Sequence, residues 1–122
     1  MYPEGLLRRY FDAVAANTST GDPKTDPWLN TKDYSLLKAT GINSLLLVLS
    51  RIMEKYPLVE SNIGKALTAY MKPISEISFA KKFVANQGGG WKGFRKLANI
   101  ALRKLNKEHG DSLRLFGEKD KK

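Results

Sequence analysis

The stretch from Ile42 to Tyr56 constrains this chain more than any other. Ile42, Leu45, Leu46, Leu47, Val48, Leu49, Ile52 and Met53 leave a helix almost no polar side. A helix apolar over most of its circumference has to be covered from several directions, which places it at the centre of a helical bundle. Thr40 reads as its N-cap, Gly41 as a break before it and Pro57 as its end. The unbroken apolar run Leu45–Leu49 is far too short to cross a bilayer.

Helical spacing recurs on both sides of this element, and no strand alternation competes with it. Leu6, Leu7, Tyr10, Phe11 and Val14 mark a first helix that opens near Pro3 and Glu4 and closes near Asn17. Thr18 to Pro27 is polar and rich in turn formers, an exposed loop, and Trp28 plugs it into the core. Asp33–Lys38 suits a short helical turn. Leu58–Met71 reads as another helix stopped by Pro73, and Ser75–Asn86 as a further one. The last runs from Trp91 to Glu108, with Gly110 just beyond. The expected fold is all-α, one compact bundle of five to six helices over residues 1–117, with 118–122 as a charged flexible tail. With 122 residues there is room for one modest core.

Charge is divided unevenly over this frame. Residues 1–60 carry seven Lys/Arg and seven Asp/Glu, so the second half carries the whole net charge of +9. From Ile77 to Lys107 there is no acidic residue, while Lys81, Lys82, Lys92, Arg95, Lys96, Arg103, Lys104 and Lys107 fall inside. Such one-signed charge repels itself and is best offset by an anionic partner.

On the last helix Phe94, Leu97, Ala98, Ala101, Leu102 and Leu105 share an apolar face. Lys92, Lys96, Asn99, Arg103 and Lys107 line up as a stripe on the other side. A row of phosphates would turn the repulsion along that stripe into attraction. Gly88-Gly89-Gly90 leads into it, and a glycine run at a helix start can aim backbone N–H groups at an anion. The Walker spacing is absent, so a nucleotide-hydrolysing site is disfavoured. Trp91 suits the core better than a base stack, and Asn99 is the best candidate for a base-edge contact.

The chain has no Cys, which removes thiolate metal sites and Cys/His catalysis, and its single His, His109, at a helix end, disfavours Ser/His catalysis. His109 reads as a cation or cap at the end of the last helix. The acidic residues form no spaced pair for acid–base work. No cofactor and no metal is expected. The N-terminus lacks a signal-peptide layout, and the expected setting is cytoplasmic.

Tyr10-Phe11, a Pro-Trp after the loop, Leu37-Lys38-Ala39-Thr40-Gly41-Ile42-Asn43-Ser44-Leu45-Leu46 and Gly88-Gly89-Gly90-Trp91-Lys92-Gly93 follow in an order that resembles the C-terminal part of DGQHR-domain proteins. That family includes proteins associated with DNA sulfur (phosphorothioate) modification. The name-giving motif is missing, so the resemblance implies a C-terminal or detached helical portion of such a protein. It also implies DNA as partner, along with other parts of a modification system.

Together these readings lead to the expectation of a non-enzymatic nucleic-acid-binding module, DNA before RNA. Its contacts would be Lys81, Lys82, Gly88, Gly89, Gly90, Lys92, Arg95, Lys96, Asn99, Arg103 and Lys107. The rival is a helical interaction domain whose basic face docks an acidic protein partner or another domain of a parent chain.

Overall fold

A computed structural model describes residues 5–56, 65–88 and 90–117. Pro3 and Glu4, Pro57 to Gly64, Gly89 and the 118–122 tail lie outside the described residues. Among the described residues five α-helices follow one another: α1 (Leu6–Thr18), α2 (Ala39–Lys55), α3 (Lys65–Tyr70), α4 (Lys81–Ala85) and α5 (Gly90–His109), with a 3₁₀ turn (Lys72–Glu76) between α3 and α4. No strand is formed among the described residues. The all-α expectation holds.

The central unit is the pair α2 and α5. Leu45, Val48, Leu49 and Ile52 of α2 and Leu97, Ala98, Ala101, Leu102 and Leu105 of α5 belong to one core. Buried Ser44 ties the pair together, its Oγ donating to Thr40 O at 2.6 Å or Phe94 O at 3.0 Å. Across the core, α1 buries Tyr10, whose hydroxyl donates to Leu45 O at 2.6 Å. The α1 helix also packs on α3 and the 3₁₀ turn.

The start of α2 differs from expectation, and it shares one feature with the start of α5. The α2 helix begins at Ala39, so Thr40 is inside it rather than capping it, and Gly41 sits in its first turn. A Cβ on Gly41 would lie 2.3 Å from Leu36 O and 2.4 Å from Ser35 O. In α5 a Cβ on Gly93 would lie 2.0 Å from Gly88 O. In both helices the carbonyl five residues upstream folds onto the first turn, and only glycine leaves space for it.

The expected single helix over Ser75–Asn86 is interrupted. Pro73 sits within the 3₁₀ turn, and Ile77–Ala80 is not helical. The cause is non-local: Ser35 N–H donates to Phe79 O and Lys81 N–H to Asp33 O, with an isolated bridge between Tyr34 and Ala80. Those bonds also replace the expected helical turn at Asp33–Lys38 with extended chain and simple turns.

The loop after α1 is organised around buried Asp26. Its carboxylate accepts from Ser19 Oγ, from the Thr20, Gly21 and Trp28 backbone N–H groups, all within 3.1 Å. The Ser19 bond, followed by the backbone donors, holds its pKa below the usual carboxylate range against the opposing effect of desolvation. Trp28 packs on the core as expected and donates from Nε1 to Thr18 Oγ1 at 2.7 Å.

Candidate nucleic-acid interface

The second half of the basic segment is built on α5, whose apolar seam faces α2 and whose opposite side faces out. Beyond it, Gly110 adopts a left-handed φ of 66° and Asp111 N–H returns to Asn106 O at 3.1 Å, which closes the helix. The chain then reverses and runs back along α5 as an extended strap, Asp111–Gly117.

Two asparagines hold this strap. Asn106 Nδ2 donates to Leu113 O at 3.0 Å while its Oδ1 accepts from Leu113 N–H at 2.8 Å. Asn99 does the same with Phe116, at 2.9 Å and 2.8 Å. Seven helical residues rise about 10.5 Å and three extended residues span about 10 Å, so the two clamps stay in register. Arg51 adds a third point from α2. Its Nε donates to Arg114 O at 2.8 Å and its guanidinium lies 3.7 Å from the centroid of the Phe116 ring.

The strap turns the flat basic stripe into a depression. Lys92, Arg95, Lys96 and Arg103 line an open hollow of about 570 Å³, together with Gln87, Asn99, Ile100, Phe116 and Gly117. None of these lining residues is acidic. Four cations therefore converge on one hollow with an aromatic wall, an arrangement suited to phosphate oxygens.

The other expected contacts fall elsewhere. Lys107 is exposed on α5 and Lys81 and Lys82 are exposed on α4, all three outside the hollow. Lys104 faces Glu76, 3.6 Å from its carboxylate. Asn99 is a correction: it is 8% exposed, and both ends of its amide are bonded to Phe116, so it positions the strap and is not available to a base edge. Gly88 is a second: its N–H donates to Ala85 O at 3.1 Å and is not offered to an anion. Gly90 opens α5 with φ 57°, and Gly89 lies outside the described residues.

Trp91 is the third correction. The expected core residue is 61% exposed and touches Phe94 edge to face, with centroids 5.3 Å apart. The helical wheel puts it near the apolar sector, but Gly90, Trp91 and Lys92 at the start of α5 are all exposed.

The strap was not expected from the sequence, nor were Gln87, Phe116 and Gly117 as lining residues. The available signal was the apolar trio Leu113, Leu115 and Phe116 after the helix end.

At the other end of the strap, Asp111 accepts from Tyr56 Oη at 2.7 Å and Tyr70 Oη at 2.5 Å. These two bonds, Tyr70 first, hold its carboxyl below the usual range. Burial, then the bond to Asp111, pushes the Tyr70 hydroxyl up. His109 stacks on Tyr70 at 4.2 Å, and its Nε2 lies 2.8 Å from Tyr70 O. Its place at the end of α5 matches expectation, but its partner is the backbone of another element. Among the described residues no cluster of His, Asp or Glu could hold a metal ion, and no helix is long and apolar enough to cross a membrane. No family description, curated protein or solved structure matches this chain.

Proposed function

We propose that this chain is a non-enzymatic nucleic-acid-binding module that holds phosphates in the hollow between α5 and the C-terminal strap. The observation that carries the reading is the convergence of Lys92, Arg95 and Lys96, with Arg103 beside them, on one depression whose described lining holds no acidic residue. Lys81, Lys82 and Lys107, exposed nearby in sequence, extend the positive field and steer the approach of a polyanion. The resemblance to DGQHR-domain proteins favours DNA over RNA and suggests a place in DNA modification or its control. Phosphate contacts of this kind fix position without reading sequence.

The test is binding of labelled DNA as a function of salt. With Lys92, Arg95 and Lys96 each neutralising a phosphate, log K falls against log salt with a slope of about −2 for a single strand and about −2.7 for a duplex. The double variant K92E/K96E removes binding while circular dichroism and thermal melting stay as in the parent, since both side chains are exposed. Absence of binding to any DNA at low salt overturns the reading in favour of a basic face that docks a protein.

A further inference from the structure

We infer that Trp91 is a stacking platform for an unpaired base, which makes single-stranded DNA the ligand of the hollow. The inference rests on the nucleic-acid reading above and deepens it. Among the large apolar side chains exposed on the described residues, Trp91 is the most open, at 61%. Its one aromatic neighbour, Phe94, meets it at an interplanar angle of 68°. In an edge-to-face pair at most one face of the indole is covered, so at least one face is left uncovered by Phe94.

Trp91 does not itself line the hollow, but two of the cations that do are its neighbours along α5. Lys92 follows Trp91 directly, and Arg95 is its neighbour one helical turn on, about 40° around the helix. Both line the hollow. Aromatic surface and phosphate-binding cations are therefore contiguous along the first turns of α5. This pairing binds single strands: the cations follow the backbone while a base stacks on the ring, whatever its identity. Duplex DNA offers no such face, because its bases are already stacked on one another. Charge complementarity thus selects the occupant of an exposed indole that would otherwise be only an apolar liability.

The experiment measures affinity by fluorescence anisotropy with a labelled oligo(dT) strand of about 16 nucleotides and a mixed-sequence duplex of the same length. Wild-type protein is compared with W91A, W91F and K92E/K96E. The expected result is a loss of about tenfold to a hundredfold for W91A on the single strand. W91F recovers most of the loss, the salt slope is unchanged, and duplex affinity moves little. If W91A binds oligo(dT) as tightly as wild type while K92E/K96E does not bind, the stacking inference is overturned and the phosphate-binding reading stands. Equal losses on single strand and duplex also overturn it, because Trp91 would then act through the shape of α5. So does self-association of wild type that W91A abolishes in sedimentation. If wild type binds neither DNA at low salt, the parent reading itself has failed.

Discussion

Asn99 and Phe116 exchange two hydrogen bonds, side-chain amide to backbone N–H and C=O, at 2.9 Å and 2.8 Å. The asparagine acts as a fragment of β-strand set on a helix. It gives the Phe116 backbone the two partners it would have in a sheet, and so fixes one wall of the basic hollow. Asn99→Ala leaves the half-buried N–H and C=O of Phe116 without these partners, which costs about 1 kcal/mol in urea denaturation. Amide exchange at Phe116 speeds up in this variant, while the amides of the buried α5 seam fall only by the global loss. A base-reading Asn99 would predict instead an unchanged stability and an altered sequence preference.

Gly93 and Gly41 make a prediction whose sign separates two causes. Helix propensity alone favours Ala over Gly by about 1 kcal/mol within a helix. Here the Cβ of Gly93→Ala would meet Gly88 O at 2.0 Å, and that of Gly41→Ala would meet Leu36 O at 2.3 Å. Backbone must shift in each case, so both variants lose roughly 1–3 kcal/mol. Equilibrium unfolding shows a lower midpoint for both, whereas Ala substitution at an uncrowded helical glycine would raise it.

The same glycines show where the sequence could and could not be read. Apolar periodicity located α1, α2 and α5, because the side of a helix that faces the core is written in its own residues. The clash at Gly41 is not, since it depends on where Ser35 and Leu36 return. Asn99 falls on the Lys92–Lys107 stripe by spacing, and nothing local records that Phe116 will cover it. Trp91 falls near the apolar sector, but the wheel does not say how far the core extends along α5. The strap has no period at all. Its register comes from two asparagines seven residues apart pairing with residues three apart. The cations of the hollow were legible by charge, and the hollow itself was not.

Asp111 joins the strap to α2 and α3, and its chemistry sets a pH dependence. Hydrogen bonds from Tyr70 and Tyr56 depress its folded pKa, so its contribution to stability is present above the unfolded value of about 3.9 and is lost as pH falls through the folded value. The tyrosines run the other way. Their folded values are raised, so their contribution is present below the unfolded value of about 10 and fades as pH rises beyond it. Thermal melts across pH show Asp111→Asn less stable than wild type at neutral pH, with a gap that narrows towards acid. Asp26, also held low, keeps part of the acid sensitivity in that variant.

Lys104 and Lys96 provide the sharpest internal comparison within the basic segment. Both lie on α5 in the acid-free stretch, and composition treats them alike. Lys96 lines the hollow, while Lys104 sits 3.6 Å from the Glu76 carboxylate and does not line it. An exposed ion pair of that kind contributes about 0–1 kcal/mol to stability, so Lys104→Ala folds normally. It also leaves oligo(dT) affinity and salt slope close to wild type. Lys96→Ala removes a phosphate contact and flattens the slope by about 0.7 for a single strand. Equal effects of the two substitutions would mean that overall charge, rather than the hollow, governs binding.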